Sequence, residues 1–171
     1  ETLEIFAPLA HRLGIGWVKA ELENEAFKYI DPKNFKLIDE KLELKQEQRE
    51  KLVDRVCEII SSELESAEVQ GRIMGRPKNI FSIFSKMEGQ NLDFEEIYDL
   101  IGVRILTSSI KDCYAVLGMI HSIWKPIPGK FKDYIAMPKP NMYRSLHTTV
   151  IGPDGQRVEI QIRTEEMHLI S

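Results

Sequence analysis

Ser145-Leu146-His147-Thr148-Thr149-Val150-Ile151, then Gly152-Pro153-Asp154-Gly155, then Arg157-Val158-Glu159-Ile160-Gln161-Ile162-Arg163 is the stretch that decides the fold. Two β-branched runs flank an Asp-Gly pair, which supplies the positive φ that a tight hairpin turn needs. Side chains alternate across a strand, so Val158, Ile160 and Ile162 face one way and Arg157, Glu159, Gln161 and Arg163 the other. Leu146, Thr148 and Val150 likewise oppose Ser145, His147 and Thr149. In Ile101–Thr107, a third strand by the same reading, Ile101, Val103 and Ile105 oppose Arg104. If the apolar sides pack on helices, Arg104, His147, Glu159 and Gln161 share the open face of one sheet. A plain solvated face is the simpler alternative for an antiparallel sheet. The mixture of acid, guanidinium and imidazole favours a site.

Outward from the hairpin, short strands alternate with helices. Val69–Gly75 reads as a strand, Lys78–Met87 as a helix and Ile110–Trp124 as another, which makes an α+β core. Thr164 is a helix N-cap, with Glu165 and Glu166 in the first turn of a terminal helix. Upstream, Leu3, Ile5, Phe6, Leu9 and Leu13 recur at helical spacing, as do Val18, Leu22, Ala26 and Ile30, with a break at Gly14-Ile15-Gly16. After Asp31-Pro32, apolar positions from Phe35 to Leu64 straddle the charged Lys45–Lys51 run and predict a helical hairpin or one interrupted helix. Residues 1–66 are therefore expected to form a helical extension and 67–171 the main domain.

With 43% hydrophobic and 29% charged residues in 171, the chain can bury one ordinary core. No apolar run approaches the roughly 18–20 residues that span a bilayer, and the N-terminus lacks a signal peptide's basic region, so a piece of a cytoplasmic protein is expected. Cys57 and Cys113 sit in apolar helical patterns without metal-ligand spacing and are expected as buried thiols. The net charge of −4 hides an asymmetry: residues 1–70 hold 16 acids and 10 bases, residues 71–171 hold 11 and 13. Gly71–Met87 carries Arg72, Arg76, Lys78 and Lys86 with no acid, and Lys125–Arg144 carries five bases against Asp133. Local positive potential in an acidic chain favours a small polyphosphate over a long nucleic acid.

Three motifs carry chemistry. Lys78, Ser82 and Lys86 fall at i, i+4 and i+8, one helical face that can follow a triphosphate from a helix N-terminus; an amphipathic helix with solvated lysines is the alternative. Asp99, just before a strand, and Glu159 could converge on Mg²⁺, which takes one or two carboxylates plus substrate phosphates. Lys130-Phe131-Lys132-Asp133-Tyr134 and Met137-Pro138-Lys139-Pro140-Asn141-Met142-Tyr143-Arg144 interleave bases with aromatics, which a nucleotide site uses for stacking and phosphate contact. The competing assignment puts Tyr134 and Tyr143 in the core and the lysines in a solvated loop.

In order and type, these motifs resemble the synthetase domain of the RelA/SpoT family, over about Val69 to Thr164. The preceding helices, including the Ile5–Ile15 segment, are similar to the end of that family's hydrolase region and its connector. The resemblance implies a mixed, mainly five-stranded sheet flanked by helices, akin to nucleotidyltransferases, and transfer of pyrophosphate from ATP to the 3′-hydroxyl of GDP or GTP with release of AMP. Carried onto this sequence, it places Arg76 and Arg104 on either side of adenine and Lys78, Ser82 and Lys86 on the ATP phosphates. Asp99 is implied as a Mg²⁺ ligand, and Glu159 as a second metal ligand or the base for the 3′-hydroxyl. Tyr143 would stack on guanine with Asn141 at its edge, and Lys130, Lys132, Lys139, His147 and Gln161 would complete the guanine-nucleotide side.

The chain departs from the family pattern at Lys130, where Arg is usual in bifunctional members, and at Asn79 and Arg144, where His and Gln are frequent. Its basic loop still resembles the bifunctional class, which implies Mg²⁺ dependence and use of both GDP and GTP. For long members the ribosome is an implied partner, and an oligomer stays open; neither membrane nor direct nucleic-acid binding is expected. The alternatives are a catalytically silent nucleotide-binding regulatory module and a nucleotidyltransferase that releases pyrophosphate.

Overall fold

A computed structural model describes residues 1–76, 79–98 and 101–170. The chain divides into two compact units, Glu1–Gln48 with Pro77–Asp99 and Arg49–Arg76 with Leu100–Ser171. Among the described residues no helix is long and apolar enough to cross a membrane.

The first unit is helical. A π-helical turn, Thr2–Phe6, runs into α1 (Ala7–Arg12), followed by α2 (Gly16–Ile30) and the start of α3 (Pro32–Ser66). The fully buried positions of α2 are Glu23 and Phe27, while the helically spaced Val18, Leu22 and Ala26 are half-buried and Ile30 is exposed. Phe27 wins because its ring meets Phe35, Phe81 and Phe84 at centroid distances of 6.0, 5.6 and 4.6 Å, whereas Ile30 is exposed. Helix α3 is continuous: the charged 45–51 run consists of good helix formers and interrupts nothing. Helices α4 (Ile80–Gln90) and α5 (Phe94–Tyr98) add Ile83, Phe94 and Ile97 to a small core with Ile38.

The second unit is the sheet. Its strands are β1 (Gly71–Gly75), β2 (Ile101–Thr107), β3 (Lys125–Pro126), β4 (Lys132–Asp133), β5 (Leu146–Ile151) and β6 (Arg157–Thr164), with α6 (Ile110–Ile123) and α7 (Glu165–Ile170). The order is β1-β2-β6-β5-β3, with β4 also paired to β5; β2 and β6 run parallel and every other pair is antiparallel. The mixed α+β sheet is as expected, with four full strands and two of two residues each. Asp154 (φ 56°) and Gly155 (φ 73°) form the hairpin turn, closed by Gln156 N donating to Pro153 O at 3.1 Å, so the Asp-Gly signal read the turn correctly.

The core lies on the apolar side of the sheet. Ile105, Leu146, Val150, Val158, Ile160 and Ile162 pack there with Cys113, Val116 and Ile120 of α6 and with Val56, Ile60 and Leu64 from the second half of α3. Cys113 is buried, its Sγ 3.0 Å from Thr107 Oγ1, while Cys57 is half-buried, less than expected. Thr164 caps α7, its Oγ1 accepting from Met167 N at 3.2 Å.

Candidate active site

Strand register builds the site. Arg104 on β2 pairs with Gln161 on β6, Gln161 with His147 on β5, and His147 with Lys132 on β4, so the four lie in one line across the sheet. The adjacent line holds Gly102, Glu159 and Thr149. Neighbouring strands are about 4.8 Å apart, which puts Arg104, Gln161 and His147 within roughly 10 Å. The face predicted from alternation therefore exists, with Arg104, Glu159, Gln161 and His147 on it.

It is less open than expected. Gln161 and Arg163 are each 3% exposed. Arg163, two residues beyond Gln161 on the same face, hydrogen-bonds His168 Nδ1 of α7 at 2.8 Å and lies 5.7 Å from the Tyr143 ring centroid. Parity marked its side, but a basic residue at a strand end reads in sequence as solvated, so its burial was missed.

Arg76 leaves β1 just before the described residues break off. Its N–H donates to Gly102 O at 2.9 Å, and a Cβ on Gly102 would stand 3.1 Å from Arg76 Cβ, so a bare glycine lets the arginine stem lie against the strand. Arg76 Nη1 reaches Glu159 Oε1 at 3.2 Å, an ion pair that orients the carboxylate. Arg104 donates to Gln161 Oε1 at 3.4 Å, while its buried Nε has no partner among the described residues. Burial, and after it the nearby Arg76 charge, lowers the Arg104 pKa; burial followed by Arg104 lowers that of Arg163 to about 10. Arg104 and Arg163 nonetheless stay charged at neutral pH. On the described strand positions of this face Glu159 is the one acid.

The loop between β4 and β5 brings the aromatics. Tyr143 Oη and His147 Nε2 are 2.8 Å apart, and the rings of Tyr134, Tyr143 and His147 meet edge to face. Lys139 Nζ stands 4.6 and 5.2 Å from the Tyr134 and Tyr143 ring centroids, and Asn141 Oδ1 accepts from Tyr143 N at 3.2 Å. Lys130 and Lys132 are exposed. Both tyrosines are half-buried, between the two alternatives that the sequence left.

Burial, which outweighs attraction by Glu159, lowers the His147 pKa from 6.5 to about 4. At neutral pH the imidazole therefore serves as a hydrogen-bonding group and not as a cation. The unfolded imidazole takes a proton below about 6.5 and the folded one only near 4, so the unfolded state binds more protons between them and stability falls as pH falls through that window. Urea unfolding should show wild type losing about 2 kcal/mol more than His147→Gln between pH 7.5 and 4.5. Equal losses would contradict the neutral, buried imidazole.

The remaining predicted residues belong to the first unit or fall outside the description. Ser82 and Lys86 are exposed on α4 at i, i+4 spacing. The helix begins at Ile80, not Lys78, because Asn79 is its N-cap: Asn79 Oδ1 accepts from Phe81 N (2.9 Å) and Ser82 N (3.3 Å). Asn24 Oδ1 also accepts from Phe81 N at 3.0 Å, so these two first-turn amides already have partners, contrary to the expected anion-binding end. Lys78 and Asp99 lie outside the described residues.

A sequence profile described as "Region found in RelA / SpoT proteins" matches residues 75–171, more than half of the chain. The chain belongs to the RelA/SpoT family. Its curated relatives include a GTP pyrophosphokinase of Myxococcus xanthus, 50% identical over the whole chain and 23% of the relative, and the bifunctional (p)ppGpp synthase/hydrolase RelA of Mycobacterium tuberculosis, 46% identical over 98% of the chain and 23% of the relative. The chain thus spans about a quarter of these relatives' length. Among solved structures it is similar to the small alarmone synthetase 1 of Bacillus subtilis bound to its product pppGpp, with a TM-score of 0.56 and 26% identity, over 78% of this chain and 76% of that one. Membership in the RelA/SpoT family and this fold agree with the order of motifs along the sequence.

Proposed function

We propose that this RelA/SpoT chain transfers pyrophosphate from ATP to the 3′-hydroxyl of GDP or GTP, releasing AMP, with residues 67–171 as the synthetase region and 1–66 as the helical segment that follows a hydrolase domain in the long protein. The observation that carries this is the polar sheet face, where the charges of Arg76, Arg104 and Arg163 repel one another, Glu159 pairs with Arg76, and the buried Arg104 Nε has no partner among the described residues. Packing guanidiniums together at the cost of mutual repulsion is unfavourable unless an anion joins them, and two polyphosphates are such anions.

The chemistry asks for little covalent help from the protein: a 3′-oxygen in line with the β-phosphorus and relief of charge repulsion, so positioning and electrostatics dominate. Arg76 and Arg104 hold the adenine end, with Lys78, Ser82 and Lys86 assigned to the phosphates. Glu159 accepts the proton of the attacking hydroxyl while Arg76 fixes its orientation. Neutral His147 and Gln161 hydrogen-bond the guanine nucleotide, Tyr143 offers its ring to the base beside Asn141, and Lys130, Lys132 and Lys139 face the acceptor's phosphates. The hard oxygen of Glu159 suits Mg²⁺, with Asp99 assigned as the other ligand; the ion, when bound, neutralises phosphate charge and polarises the β-phosphoryl group. We place the protein in the cytoplasm, with the ribosome a partner of the full-length form.

Incubation with ATP and GDP, with and without Mg²⁺, tests the reading. AMP and ppGpp appearing only with Mg²⁺ is the expected result; pyrophosphate with an adenylated acceptor would establish the nucleotidyltransferase instead. The basic loop is assigned to acceptor choice, so K130E/K132D should change the ratio of GDP to GTP kcat/KM by about tenfold, the scale of one charged contact. An unchanged ratio and metal requirement would remove Lys130 and Lys132 from the acceptor site.

A further inference from the structure

The two-residue strand β4 decides which side chain of the basic loop faces the site. Lys132 pairs with His147, which lies on the polar face, and Asp133 pairs with Leu146, which lies in the core under α6. A slip of one residue would exchange the two, burying Lys132 beside α6 and placing a carboxylate among the guanidiniums. Two ladder pairs with a single neighbour are a weak guarantee against that. The side chain of Asp133 supplies the rest: Oδ1 accepts from Ile135 N at 3.0 Å and Ala136 N at 2.8 Å, and Oδ2 accepts from Tyr114 Oη of α6 at 2.8 Å. The backbone continues the same alignment, with Tyr134 N donating to Ser145 O at 3.0 Å.

We propose that Tyr114 and Asp133 are positioning residues for the acceptor nucleotide, a clamp from α6 that fixes the register of β4 so that Lys132 stands on the polar face beside His147. The inference rests on the assignment of the basic loop to the guanine nucleotide. Neither residue touches a substrate. Tyr114 is 40% exposed and lies at the rim of the core, so losing its hydroxyl leaves the packing intact.

The test is Tyr114→Phe, Asp133→Ala, Asp133→Asn and the double variant Y114F/D133A in the intact chain, read by steady-state kinetics, thermal melting and amide hydrogen exchange. Y114F should raise KM for GDP about 3- to 10-fold, the yield of one such hydrogen bond, and leave KM for ATP, kcat and the melting temperature nearly unchanged. Exchange at the Ile135 and Ala136 amides should speed up in Y114F and more in D133A, while D133N, which keeps an acceptor oxygen, should restore most of the protection. Because the two residues act as one clamp, the double variant should be no worse than D133A alone. Wild-type turnover with an unchanged KM for GDP in Y114F, a parallel rise in KM for ATP, or additive effects in the double variant would overturn the clamp. Wild type that makes no (p)ppGpp would overturn the functional reading, and unchanged protection at Ile135 and Ala136 in Y114F would then overturn the clamp separately.

Discussion

Glu159→Gln should lower kcat by at least about 10²-fold, the usual contribution of a positioned general base, and by more if the metal is lost with the charge. The substitution nearly keeps shape and volume, exchanging one carboxylate oxygen for an amide nitrogen and so removing the charge and the proton-accepting group. Its side chain is 21% exposed and its ion pair with the 40%-exposed Arg76 is worth no more than about 1 kcal/mol, so the melting temperature should hardly move. A loss of activity without a loss of fold is the signature sought. If kcat stayed within a few-fold of wild type, Glu159 would be neither base nor metal ligand, and the acid on this face would be a partner for Arg76 alone.

One residue further on, the effect should reverse. Ile160 has no exposed surface, pairs with Val103 on one side and Thr148 on the other, and sits at the centre of the sheet's core. Ile160→Ala should cost about 2–5 kcal/mol of stability, from lost burial plus the cavity left between β2 and β5. Measured by urea unfolding, that is a large part of the roughly 5–15 kcal/mol available to a domain. The molecules that remain folded should keep wild-type KM for both nucleotides, since the lost atoms face away from the site. A stability loss below about 1 kcal/mol would mean that the apolar side of β6 is not the packed centre described.

That contrast between 159 and 160 was legible in the sequence because strand alternation is strict. Val158, Ile160 and Ile162 against Glu159 and Gln161 requires only the period of two, and the Asp154-Gly155 turn fixes where the return strand begins. The same alternation placed Arg104 and His147 correctly. It could not show depth: Gln161 and Arg163 are buried, Arg163 against the Tyr143 ring and His168 of α7, neighbours that no local pattern announces. Periodicity was equally silent about β4 and about the five-residue α5, since two or five residues carry too little period to detect. The N-cap at Asn79 was visible as a residue type, and starting the helix at Lys78 gave charge spacing priority over capping chemistry. In α2, Glu23 is buried beside Phe27 because its carboxylate meets Lys19 Nζ at 3.3 Å, a pairing that a count of apolar residues passes over.

A labelled phosphorus shows which group moves. With ATP labelled at the γ-phosphate, Mg²⁺ and GDP, pyrophosphate transfer predicts label in ppGpp, unlabelled AMP in equal amount, and both lost in E159Q. Label released as free pyrophosphate, or a folded protein that binds both nucleotides yet moves no label, would contradict it.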